Sequence, residues 1–101
     1  MWLQVIFDLP VRNKNQRRAA SKFREVLLDS GFEMFQYSVY MRVCADKQHA
    51  EKLKNIVRFS VPLYGKVSIL TFTDKQFEKM EHFFYEKEAE STLSSYQLDL
   101  F

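Results

Sequence analysis

The spacing of apolar residues changes several times along this chain, and each change marks a different predicted element. Residues 2–7, Trp-Leu-Gln-Val-Ile-Phe, form a β-favouring run that stops at Asp8-Leu9-Pro10, where Pro10 holds Leu9 extended and ends the strand. Asn13 is placed to cap a helix, and Gln16 three residues on supplies the return half of a capping box. Ala19, Ala20, Phe23, Val26 and Leu27 then recur at helical spacing as an inward stripe, while Lys14, Arg17, Arg18 and Lys22 fall on the other side. Gly31, after Ser30, suits a left-handed C-terminal cap. Residues 32–43 are again β-rich, with Val39, Met41 and Val43 alternating against Ser38, Tyr40 and Arg42, a pattern that fits one bent strand or two short ones. Asp46 caps a second predicted helix with Ala50, Leu53, Ile56 and Val57 inward, and Pro62 lies beyond its end. Residues 66–73 read as a further strand. Thr73 and Gln76 form a second capping box, opening a helix with Phe77, Met80 and Phe84 inward. Residues 86–95 are polar and read as a linker; Tyr96, Leu98 and Leu100 against Gln97 and Asp99 alternate like one more strand.

This order predicts an α/β (α+β) fold over residues 1–85: a ferredoxin-like sandwich, an antiparallel sheet with helices on one face. The first strand, however, is apolar on both sides, with Leu3, Val5 and Phe7 on one and Trp2 and Ile6 on the other. A sheet apolar on both faces needs both covered, and the chain has too few elements to do it. A second copy is the economical cover, so a homodimer is expected, with the terminal strand in residues 86–101 pairing with the partner's sheet edge.

Composition adds two constraints. Ten Phe and 16% aromatic residues in 101 positions imply a core of large side chains or aromatic surface covered by a partner. Phe77, Phe83, Phe84 and Tyr85 read as part of that core or interface. The net charge of +2 says little, but its distribution is uneven: Arg12, Lys14, Arg17, Arg18, Lys22 and Arg24 follow one another with no acid between them, while Glu78, Glu81, Glu86, Glu88 and Glu90 gather late. A single cysteine, Cys44, excludes an internal disulfide and fits a small core residue in a reducing cytoplasm. Neither a secretory leader nor a bilayer-length apolar run is seen, so no membrane association is expected.

Candidate chemistry converges on Asp8. It is the only acid in the first 24 residues and lies at the C-terminal end of an apolar strand, where α/β folds favour ligand sites. Magnesium usually takes one or two carboxylates plus waters or phosphate oxygens. A two-fold axis near Asp8 would bring the second carboxylate from a partner, and the bound ion would activate water and stabilise charge on a phosphodiester. An alternative role for Asp8 is simply to cap the turn at Pro10. Phosphates would lie across Lys14, Arg17 and Arg18, with Arg12 in the preceding loop, giving salt-sensitive binding indifferent to base identity. His49 and His82 lack partners at zinc-ligand spacing and read as surface helix positions; Ser38 reads as a strand residue. No phosphate-cradling glycine loop or nucleophile elbow is present.

Val5-Ile6-Phe7-Asp8-Leu9-Pro10, Lys22-Phe23-Arg24, Gly31-Phe32 with Met34, Phe35-Gln36-Tyr37-Ser38-Val39-Tyr40 and Thr73 with Lys75-Gln76-Phe77 occur in an order and spacing that resemble CRISPR-associated protein 2, in its type II form. The resemblance implies a ferredoxin-like homodimer with C-terminal strand exchange that acts in spacer acquisition. Such a dimer bridges dimers of the CRISPR integrase, CRISPR-associated protein 1, and helps hold a duplex DNA prespacer. It further implies Asp8 as the catalytic residue and metal ligand, for magnesium or manganese, with endonuclease activity on RNA or DNA in some members. The adaptor role is separable from hydrolysis, and the sequence leaves both open. Arg12, Lys14, Arg17 and Arg18 as nucleic-acid contacts rest on local charge. A ribonuclease toxin of the related VapD type, with the same fold and a strand-end Asp, is the alternative.

Overall fold

Alternation in the first residues does produce a strand, β1 (Trp2–Asp8), hydrogen-bonded on both sides in a four-stranded antiparallel sheet. The computed structural model describes residues 1–85; the predicted linker and terminal strand over residues 86–101, and the strand exchange expected of them, lie outside the described residues. After β1 come α1 (Lys14–Asp29), β2 (Glu33–Gln36), β3 (Val39–Val43), α2 (Lys47–Arg58), β4 (Lys66–Phe72) and the short α3 (Asp74–Glu78). The sheet order is β2-β3-β1-β4. That order is the predicted ferredoxin-like arrangement, an α+β fold.

Leu3, Val5 and Phe7 point to one face and are almost fully buried, against Phe23 and Leu27 of α1 and Ala50, Leu53 and Val57 of α2. Burying each such large side chain contributes at most about 1.5–3 kcal/mol. Cys44 joins this cluster, as its apolar neighbours suggest. Burial pushes its thiol pKa above the ordinary range, an effect that the nearby Arg42 charge only partly offsets.

The element ends follow the side-chain chemistry. In α1 the Asn13 side chain accepts from the Gln16 backbone N–H at 2.8 Å, and the Gln16 side chain accepts from the Asn13 N–H at 3.3 Å. At the other end Gly31 adopts φ 86°; its N–H donates to Leu28 and that of Phe32 to Leu27, both at 3.0 Å, a complete Schellman cap. Asp46 caps α2 through the His49 N–H at 2.8 Å. His49 Nδ1 in turn accepts from the Ala45 N–H at 3.1 Å, so this imidazole closes the α2 N-terminus.

Several expectations are corrected. Of the two arrangements left open for residues 32–43, the structure has two short strands, joined by a turn in which Ser38 has φ 62°; Ser38 therefore belongs to the turn and not, as expected, to a strand. Ile56 is 41% exposed because it lies about 100° around α2 from Val57, off the buried stripe. The third helix ends at Glu78, so Met80 and Phe84 are not on it, and Phe77 does not join the main core. Instead Phe77 stacks on Trp2 at 3.9 Å and 6°, on the sheet face opposite α1 and α2. His82 is likewise off any helix, its ring edge-on to Phe35 at 5.3 Å. A helix this short has little stability of its own beyond the packing of its one apolar anchor.

Candidate functional site

Asp8 is the last residue of β1, and the ladder explains its exposure. Regular pairing with β3 stops at Ile6–Val39, whereas pairing with β4 continues to Asp8–Lys66. The Phe7 N–H still donates to the Ser38 carbonyl at 3.1 Å, so the β2–β3 turn closes beside Asp8. Pleating sends Asp8 to the same side as Trp2, Gln4 and Ile6, away from α1 and α2. Its carboxylate makes no hydrogen bond or ion pair with any described residue, although Lys66 lies directly across the ladder. Two open clefts meet at this carboxylate. One, about 310 Å³, is lined by Asp8, Pro10, Arg12, Gln16 and Tyr64. The other, about 250 Å³, is lined by Ile6, Phe7, Asp8, Lys66 and Ser68.

Among the cations expected to bind nucleic acid, the structure brings Arg12 to the Asp8 cleft. Arg17 is exposed and folds back so that its guanidinium donates to the Val11 carbonyl at 3.3 Å, bracing the loop that carries Arg12. Lys14 and Arg18 are exposed along α1, one turn apart, and neither lines a cleft with Asp8. Arg24, at the end of the same basic run, lies 5.7 Å from the Phe7 ring centroid, a cation–π contact that draws it toward the core.

Two residues that the sequence pattern did not single out stand at this end of the sheet. Tyr37, 91% exposed, precedes Ser38 in the β2–β3 turn, and Tyr64, 84% exposed, precedes the start of β4. Tyr64 shares the cleft with Asp8 and Arg12. The available signal was the loop Pro62-Leu63-Tyr64-Gly65, an apolar turn bounded by Pro and Gly.

Away from the helices, the second sheet face carries Ile6, Val43 and Leu70 at 38%, 46% and 39% exposure. The Trp2–Phe77 stack covers one end of that face; Asp8 stands at the other. Among the described residues no group of three His, Cys, Asp or Glu side chains could hold a metal ion, so one chain presents Asp8 alone. None of the described helices is long and apolar enough to cross a membrane.

Comparison with known proteins agrees with the architecture. A family model for "CRISPR associated protein Cas2" matches residues 1–80. The chain is 46% identical over 101 residues to a protein of Flavobacterium psychrophilum named CRISPR-associated endoribonuclease Cas2, covering all of this chain and 88% of that one. A protein of the same name from Paracidovorax avenae is 44% identical over 101 residues, covering all of this chain and 94% of its own length. The crystal structure of Streptococcus pyogenes Cas2 at pH 6.5 superposes with a TM-score of 0.65 over 83% of this chain and 100% of that chain, at 13% identity, a likeness of fold. With the family model spanning most of the chain and such relatives aligned along its full length, this protein belongs to the CRISPR-associated protein Cas2 family.

Proposed function

We propose that the protein works as a symmetric dimer in CRISPR adaptation, binding nucleic acid and bridging dimers of the integrase, CRISPR-associated protein 1, around a duplex DNA prespacer. The observation that carries this reading is that Asp8 shares a sheet face with Ile6 and Leu70, apolar residues left half-exposed. Covering that face with a second copy removes Ile6, Val43 and Leu70 from water and brings two Asp8 carboxylates to one surface. Like charges brought together either share a proton or recruit a cation. The donor chemistry suits magnesium, or manganese in its place, because each Asp8 offers a hard oxygen ligand with no competing partner among the described residues. When bound, such an ion lowers the pKa of a coordinated water and neutralises charge on a phosphodiester. Arg12, in the same cleft as Asp8, holds the phosphate, and Lys14, Arg17 and Arg18 extend the track for the backbone.

Hydrolysis of RNA or DNA is the second reading, favoured by the names of the relatives and by the unpartnered carboxylate beside Arg12. Light scattering at micromolar concentration and magnesium binding by calorimetry test both. The wild type is expected to be a dimer that binds the ion, Ile6→Glu a folded monomer that does not, and Asp8→Asn a dimer that does not. A monomeric wild type would end the dimer and the metal site together. Spacer acquisition that survives Asp8→Ala yet fails on charge reversal at Arg17 and Arg18 supports the adaptor alone. Metal-dependent cleavage abolished by Asp8→Ala supports the nuclease.

A further inference from the structure

The loop before β4 carries an aromatic side chain in a conformation that brings the fold no visible return. The Gly65 N–H donates to the Pro62 carbonyl at 3.0 Å, closing a four-residue turn whose third position is Tyr64, with φ 65°. That position normally takes Gly or Asn, because a Cβ is strained in the left-handed region. The turn is also held in place from the other side. A Cβ on Gly65 would come within 2.7 Å of Leu9 Cδ2, so the loop is pressed against the segment leaving β1. The Tyr64 ring, 84% exposed, recovers little of this strain through packing. Strained residues held rigidly by their surroundings are found preferentially where a ligand is engaged.

What lies around the ring defines the ligand. Tyr64 lines an apolar cleft of about 220 Å³ between this loop and α1, with Leu9, Pro10, Ala19 and Leu63 in its walls. Asn13, Asn15 and Gln16 supply its polar groups. Among the described residues, no hydrogen bond uses the amide nitrogens of Asn13 and Gln16 or either end of the Asn15 amide, since the caps engage only the oxygens of Asn13 and Gln16. Tyr64 also lines the cleft that holds Asp8 and Arg12. An occupant of both clefts therefore has a planar, largely apolar body with hydrogen-bonding edges, attached to an anion one step away. A nucleotide has that form.

We propose that Tyr64 and the apolar cleft it lines form a stacking site for an unpaired nucleobase whose backbone phosphate lies at Arg12 and Asp8. This rests on the reading that nucleic acid binds at Asp8 and Arg12, and adds a preference: the site selects a single strand, an overhang or a frayed end, because the bases of a blunt duplex are already stacked on one another. Tyr64 is a specificity-determining residue, and the amides of Asn13, Asn15 and Gln16 meet the base edge.

Fluorescence anisotropy with a labelled single-stranded oligonucleotide and a blunt duplex of equal length, on the intact protein, tests this. Tyr64→Asn is expected to weaken single-strand binding by roughly tenfold or more while leaving duplex binding within about twofold. Tyr64→Phe is expected to retain wild-type affinity for both. The Tm of Tyr64→Asn should be equal to or above that of the wild type, because Asn accepts the left-handed backbone; a loss of affinity without a loss of stability is a signature that general destabilisation does not produce. Single-strand binding by Tyr64→Asn at wild-type strength, or equal losses on single strand and duplex, overturns the stacking site alone. A wild type that binds neither probe overturns the nucleic-acid reading and the stacking site with it.

Discussion

Cys44 and Asp8 differ in burial, and so in what can reach them. Asp8 stands at an open strand end and remains available to a ligand. Cys44 is buried among Leu3, Val57 and the rest of the main core, and desolvation raises its thiol pKa. A thiol whose pKa is higher in the folded state costs that state stability only where the unfolded chain can ionise. Its effect is absent from the balance below the unfolded pKa of about 8.5, and the folded state loses ground as pH rises above that value, where the unfolded chain ionises first. Urea unfolding midpoints should thus fall as pH rises above the ordinary thiol range in the wild type, and fall less in Cys44→Ala measured against its own neutral-pH value. Native protein should react slowly with a thiol reagent at pH 8, at the rate of local opening. Rapid reaction under native conditions would show that the core around Cys44 is not closed.

The caps of α1 give a sharper test, because both of its ends are specified by single residues. Asn13→Ala removes the side-chain acceptor for the Gln16 N–H and is expected to cost about 1 kcal/mol. Gly31→Ala places a Cβ 2.7 Å from Arg42 Nε and forces an alanine to φ 86°, so it should cost at least about 1–2 kcal/mol in equilibrium denaturation. These caps were legible in advance, since Asn-x-x-Gln and Ser-Gly are local signals that depend only on neighbouring backbone groups. The α1 stripe was legible for the same reason, as were the two faces of β1. Asp8 could be singled out from its place after an apolar strand, and the basic run from charge alone. What sequence could not supply was which face a later element covers. Phe77, Met80 and Phe84 have helical spacing, yet the helix stops at Glu78 and Phe77 crosses to stack on Trp2, a contact 75 residues distant that no local period encodes. Ile56 was misplaced because one extra apolar residue beside a stripe looks like part of it. Tyr64 escaped notice because its significance lies in a positive φ and a neighbouring cleft, neither of which is a pattern of residue types.

The proposed dimer would turn these local features into a charge distribution, and salt dependence measures it. Each chain offers Arg12, Lys14, Arg17 and Arg18, all exposed, with Arg12 in the Asp8 cleft, and the proposed dimer would carry twice that number. Each phosphate neutralised releases counterions from duplex DNA, so log Kobs should fall with log salt at a slope of about −0.9 per contact, approaching −7 if all the cations of a dimer engage. The geometry sets them apart, however. Arg17 is drawn to the Val11 carbonyl and braces the Arg12 loop, whereas Arg18 has no partner among the described residues and is free to meet a phosphate. Arg18→Ala should therefore reduce the slope by about 2 per dimer, one contact from each subunit, with no change in Tm. Arg17→Ala should lower affinity as well, but with some loss of order in the Arg12 loop. A slope change of about 1 for Arg18→Ala would mean that only one subunit faces the duplex, which a symmetric bridge does not allow. No change at all would place the phosphate track away from α1, leaving Arg12 to act at the Asp8 cleft alone.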